Sequence, residues 1–245
     1  MPKILKPMND RRAYYYPLPL YLLAVLLVWV GAFFADVVGL LDDGAVHSSS
    51  LISAEGARWA LRTALPSLNS VPWGTVMLLV AAYGLLRGSG LAKALLRLVT
   101  QRRLTTSEWR ALLFSLGVAV CYAALLYLST LAPWNLLSAI TGEPSLSPLV
   151  QGWALLLLAG VLSVSLIYGF IYGNYRSLMD VLVSTGNAFI LFVPAIMALL
   201  PASGIVPCLQ FAGVQSFFDV PWSALTALLY LLPFIYVIVL ECRYK

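Results

Sequence analysis

From Leu149 to Tyr172 the chain reads LVQGWALLLLAGVLSVSLIYGFIY, without one charged side chain. A helix rises about 1.5 Å per residue and the hydrocarbon core of a bilayer is roughly 30 Å thick, so about 20 such residues make one crossing. Five more apolar runs accompany it: Leu18–Leu41, Trp73–Leu86, Ala111–Trp134, Ser177–Leu200 and Val220–Leu240. Together they predict an all-α integral membrane fold with about six transmembrane helices, over residues 1–245 as a single membrane domain. Residues 1–17 read as a tail. The run from Leu18 is too long for the apolar core of a signal peptide and no small-residue cleavage site follows, so it is expected to span. Tyr14–Tyr16, Trp73, Trp134, Tyr172, Tyr175 and Trp222 sit at the expected edges, where aromatic rings favour the headgroup level.

Composition agrees. Of the 245 residues 61% are hydrophobic and 10% charged, against about 25% charged in a soluble domain. A single aqueous core could not cover that much apolar surface. The net charge is +5, but the basic residues lie between apolar runs rather than on one face. That is a topology pattern, and it points to the lipid bilayer as partner and away from nucleic acid.

The positions of Lys and Arg orient the chain. With six crossings and the N-terminus in the cytoplasm, thirteen of the fifteen fall on the cytoplasmic side. They are in the tail (Lys3, Lys6, Arg11, Arg12), in the stretch from Arg87 to Arg110, at Arg176, and at Arg243 and Lys245. Only Arg58 and Arg62 fall outside. Short cytoplasmic loops carry the excess of Lys and Arg, so both termini are expected in the cytoplasm and the protein in the inner (cytoplasmic) membrane. Residues 52–66 are expected to form an interfacial amphipathic helix. Ser53 would cap it, Glu55 would lie in its first turn, Arg58 and Arg62 would share a face, and Trp59 would anchor at headgroup level. A short solvated loop helix is the plainer alternative.

No reaction centre is legible. No span centre holds Asp, Glu, Lys, Arg or His, groups that in membranes mark proton and ion paths. Motifs for metal hydrolysis, phosphate binding or a nucleophile elbow are missing. Cys121, Cys208 and Cys242 have no ligand spacing, and His47 stands in a polar stretch without partners. No catalytic residue, metal or cofactor is expected, and the chain does not read as an enzyme. Cys121, inside an apolar run, is expected to pack.

The informative stretch is SLMDVLVSTGNAFILFVPAIMALLPASGIVPCLQF, Ser177–Phe211. Ser184, Thr185, Gly186 and Asn187 interrupt an apolar run, and Pro194 and Pro201 each remove a backbone donor. This predicts one broken helix. Transporters use such breaks to bind substrate with freed backbone dipoles, which makes these four residues a candidate substrate site. The same residues also suit a kinked helix whose hydroxyls bond back to its own carbonyls and whose Asn187 joins two helices. Gly84 with Gly88, and Gly169 with Gly173, have the spacing that lets helix backbones approach. Arg97, Arg102 and Arg103 could bind anionic headgroups or serve only as topology anchors.

Two passages resemble the p-aminobenzoyl-glutamate transporter (AbgT) family. Ser53, Glu55, Gly56, Arg58, Trp59, Gly74, Gly84, Ser89, Gly90 and Leu91 match its "SxEGxRWML" and "PxGxVLxxMLGxGxAExSGL" segments. Tyr168, Gly169, Gly173, Ser177, Asp180 and Val181 match its "YGxxxGxxKSxxDV" passage. The resemblance covers roughly residues 18–103 and 145–213. It implies a dimeric scaffold and transport of organic anions of the aminobenzoyl-glutamate or sulfonamide-like kind. The departure is large: family members are much longer, and only Ala111–Glu143 stands here for a hairpin and polar helices that build half of their substrate core. Two functions follow as expectations. One is a reduced transporter whose Ser184–Asn187 site is completed by a second copy or partner chain. The other is a non-transporting integral membrane subunit or scaffold of a larger complex.

Overall fold

The computed structural model describes residues 13–38, 52–100, 105–130, 148–212 and 221–243, and every regular element among them is helical. The helices are α1 (Pro17–Val38), α2 (Ala54–Asn69), α3 (Trp73–Ser89), α4 (Leu91–Val99), α5 (Thr106–Thr130), α6 (Pro148–Gln151), α7 (Trp153–Tyr172), α8 (Leu178–Phe211) and α9 (Trp222–Arg243). Five of them (α1, α5, α7, α8 and α9) are long and apolar enough to cross a membrane, and a sixth crossing results if α2 and α3 count as one span. The protein is a multi-pass α-helical membrane protein.

Capping chemistry sets several ends. Ser53 caps α2 as expected, its hydroxyl accepting from Gly56 N at 3.0 Å. The helix runs past residue 66 to Asn69, with Pro66 inside it. Span three starts at Thr106 rather than Ala111. Glu108 accepts from Thr105 N at 3.0 Å while Thr105 Oγ1 accepts from Glu108 N at 3.3 Å, a reciprocal capping box. Its expected end, 131–134, lies outside the described residues. The expected span 149–172 is split at Gly152 into α6 and α7. Span two continues to Ser89, where Gly90 takes a left-handed φ of +85° and starts α4 in a new direction.

The expected break at Ser184–Asn187 does not occur. The helix α8 is continuous from Leu178 to Phe211, with Pro194, Pro201 and Pro207 inside it. Each proline removes one donor, but in apolar surroundings the remaining backbone groups have no water to turn to, so keeping the other helical bonds is the cheaper arrangement. At about 1.5 Å per residue α8 is roughly 51 Å long. It therefore exceeds the hydrocarbon core and must tilt, bend or emerge from it.

The chain divides into two compact units. The first holds Met1–Pro72 and Leu191–Lys245. In it Tyr21 donates to the Leu229 carbonyl at 2.7 Å, joining α1 to α9. Phe192 and Phe234 pack with ring centres 5.7 Å apart. A small core of Ala32, Cys208 and Ala212 is closed by Val28, Trp29, Trp59 and Phe211. The second unit, Trp73–Ile190, centres on α7, which packs against α3 and α5. The short helix α4 folds back so that Leu91 and Ala94 join Ala111 and Tyr168 in a buried cluster.

Candidate functional site

The second unit gathers the polar groups of the candidate region at one junction. Gly84 and Gly88 on α3 face the start of α8. A Cβ on Gly84 would meet Ala188 Cβ at 2.8 Å and the Ser184 carbonyl at 3.1 Å. One on Gly88 would overlap the Ser184 hydroxyl and lie 2.7 Å from the Tyr175 hydroxyl. The close approach brings Ser184 Oγ to the Gly84 carbonyl, to which it donates at 2.8 Å. Tyr175, buried, donates to the Leu85 carbonyl at 3.1 Å and lies 3.4 Å from Ser184 Oγ. The Asn174 amide donates to the Ser89 carbonyl at 2.6 Å.

The two glycine pairs differ in kind. Gly84 and Gly88 both serve close helix packing. Gly169 is also a contact glycine, since a Cβ there would run into the Tyr175 ring. Gly173 meets nothing within 4 Å; it caps α7 with a left-handed φ of +87°. The second spacing is therefore one contact and one cap, a pairing that a four-residue interval alone could not reveal.

The four candidate substrate residues do not converge. Ser184 is committed to α3. Thr185 donates to its own helix at the Val181 carbonyl, 2.9 Å away. Gly186 faces open space. Asn187 is exposed, beside exposed Val183 and Ile190, and makes no hydrogen bond among the described residues. The arrangement holds helices together.

Residues 102 and 103, two of the three arginine anchors, lie outside the described residues. Arg97 instead forms an ion pair with Glu108, whose side chain is 6% exposed against 49% for Arg97. Trp59 is half-buried and stacks on Phe211 with ring centres 4.4 Å apart. Arg58 and Arg62 are exposed on α2, as are Leu61 and Leu65. Cys121, expected to pack, is exposed on α5; Cys208 is buried and Cys242 exposed. No group of three or more metal-binding side chains occurs among the described residues.

No family model, curated protein or solved structure matches the chain. The resemblance to the p-aminobenzoyl-glutamate transporters rests on its quoted residues alone. Several of those have local duties here. Ser53 caps α2, Gly90 turns the chain between α3 and α4, and Ser177 with Asp180 forms the start of α8: Asp180 Oδ2 accepts from Ser177 N at 3.0 Å and Ser177 Oγ from Asp180 N at 3.3 Å.

Sequence reasoning missed two features. One is the buried Glu108, which TTSE, a capping-box spelling, could have placed. The other is an apolar cleft of about 600 Å³ in the second unit, lined by residues of α3, α4, α5, α6 and α7. Its residues are scattered between positions 86 and 164 and carry no local signal.

Proposed function

We propose that this chain is a non-transporting integral membrane subunit, a helical scaffold that joins a larger assembly in the cytoplasmic membrane. Asn187 carries the reading. It lies about 14 Å along α8 from Leu178 at 1.5 Å per residue, near the middle of a bilayer crossing, with its amide exposed among Val183 and Ile190. An amide facing hydrocarbon lacks the partner that water would give it, and such groups act as joints between helices. A partner helix supplies what lipid cannot.

The reduced-transporter reading is weaker on the same ground: Ser184 and Thr185 are spent on helix carbonyls. The orientation, with both termini in the cytoplasm, is supported by the second unit. The contact of Asn174 with Ser89 sets the α3–α4 junction beside the α7–α8 junction, and the Arg97–Glu108 pair brings the start of α5 to α4. Arg87, Lys93, Arg97, Arg110 and Arg176 therefore all gather at one end of that unit, as the excess of cationic residues on the cytoplasmic side requires.

Purification in mild detergent tests the reading. A different membrane protein should co-elute in fixed stoichiometry, and Asn187→Val should weaken that association. Recovery of homo-oligomers alone would count against it. Uptake of labelled aminobenzoyl-glutamate by reconstituted liposomes, above that of empty ones, would reinstate the transporter.

A further inference from the structure

We propose that the free face of α2 binds anionic phospholipid in the leaflet at the end of α1 away from Pro17. Leu61 and Leu65 enter the acyl chains, and Arg58 and Arg62 hold headgroup phosphates. The proposal needs only the membrane setting and is independent of the scaffold reading. Successive residues of a helix turn by about 100°. On that wheel the buried Gly56 and Ser67 and the half-buried Trp59 share the side of α2 that packs on the rest of the first unit. Arg58, Leu61, Arg62 and Leu65 fall together within an arc of about 100° on the opposite side. All four are exposed, Leu61 by 80% and Leu65 by 73%. Trp59, the expected anchor, turns inward onto Phe211 instead, and the arginines and leucines are left on the outside.

Depth chooses the medium. Trp59 packs against the cluster of Ala32, Cys208 and Ala212. Ala32 stands six residues, roughly 9 Å, before the end of α1. Helix α1, 22 residues and roughly 33 Å long, just covers the roughly 30 Å hydrocarbon core, so its end marks the boundary of that core. The packed side of α2 therefore reaches protein at or inside the boundary. Amphipathic helices lie at that level, with their apolar side chains about 5–10 Å deep. Two exposed leucines there meet acyl chains rather than bulk water.

Charge chooses the headgroup. Arg58 and Arg62 are one turn apart, so both guanidinium groups can reach one phosphodiester. Neither makes a hydrogen bond or ion pair among the described residues. Glu55, in the first turn and exposed, is the only carboxylate of α2, so the two arginines leave the helix cationic. Guanidinium takes phosphate through two parallel hydrogen bonds, and cations near a bilayer surface attract anionic lipid. Long stems let both charged ends rise to the headgroups while the leucines beside them stay in the chains. In the proposed orientation these are also the two basic residues that lie away from the cytoplasmic side, where the topology rule gives them no task.

The test is bimane fluorescence from Leu61→Cys in the full-length protein cleared of its three cysteines, reconstituted in phosphatidylcholine vesicles. Phosphatidylglycerol or phosphatidylethanolamine, brominated high on one acyl chain, is added in rising proportion. Both should quench the label, with half-quenching by phosphatidylglycerol at a mole fraction about fivefold lower. Arg58→Gln with Arg62→Gln, both at exposed positions, should bring the two curves together. Equal curves on the protein that keeps both arginines would overturn the proposal, as would a difference that survives their replacement. Quenching by aqueous iodide with none by brominated lipid would place the face in water and overturn it too. Protection from every quencher would assign the face to a second copy of the chain instead. Should the cysteine-free chain fail to fold, the phosphatidylglycerol retained by the native protein in detergent is compared with that of its Arg58→Gln, Arg62→Gln form. Less on the variant is expected, and equal amounts would count as refutation. The purified protein carries no partner, so the scaffold reading can fail while this one stands.

Discussion

Gly88 of α3 faces Ser184 of α8 so closely that a methyl group on the first would overlap the hydroxyl of the second. The polar residue that the sequence offers as a substrate ligand is thereby a packing contact, bonded to the Gly84 carbonyl at 2.8 Å. Gly88→Ala should destabilise the detergent-solubilised protein by about 1–3 kcal/mol, the usual cost of overpacking. Adding Ser184→Ala should recover part of that loss, although alone it removes a hydrogen bond. A double-mutant cycle on thermal midpoints measures this, and strict additivity of the two changes would contradict the close contact.

Glycine positions separate a binding site from a plain helix. Gly186 is helical with open space at its missing Cβ, so Gly186→Ala should raise stability by about 0.5–1 kcal/mol. Gly173, at a φ of +87°, should respond oppositely, losing about 1–2 kcal/mol as alanine. Thermal melts of both variants in one detergent give the comparison. A Gly186→Ala protein that keeps its stability but loses a transport activity would revive the substrate-site reading.

The Arg97–Glu108 pair is unequal in burial. Arg97→Met leaves a buried carboxylate with its Thr105 bond but without its cation. A loss of about 1–2 kcal/mol is expected, less than for a fully buried pair because water reaches the guanidinium. Replacing both partners, Arg97→Met with Glu108→Gln, should cost less than Arg97→Met alone. Chemical denaturation of the three variants orders them.

Cysteine substitutions test the orientation. In a protein first cleared of Cys121, Cys208 and Cys242, Lys93→Cys and Arg176→Cys should react with a membrane-impermeant maleimide only in inside-out vesicles. Arg58→Cys should react only in right-side-out ones. Labelling of Lys93→Cys from the outer face would reverse the topology.

Fold class was legible because hydrophobic run length is a local property and needs no partner. Runs such as Leu149–Tyr172 announce themselves. Helix ends were less so: Thr105 and Ser177 carry capping spellings that reach only three residues ahead, and the apolar count overrode them at Ala111. Of the two readings of α8, the broken helix is not the one observed; the helix is continuous, with Thr185 bonded back to its own carbonyl row, for a physical reason that concerns its prolines. Their cost in water is a break, whereas in hydrocarbon the continuous helix is the better of two poor choices. What Ser184 and Asn187 do was not legible, since it depends on which side of α8 meets α3, and several helices together decide that.

Of the two divisions between the compact units, one falls between α2 and α3 at Pro72 and Trp73, and the other at Ile190 and Leu191, inside the uninterrupted helix α8. No loop there offers a seam. Attempts to express either half alone would cut through a turn of helix in the apolar interior and leave raw backbone ends where nothing can solvate them. The chain has to be studied, truncated or fused as a whole, with tags confined to its ends and to the segments between helices.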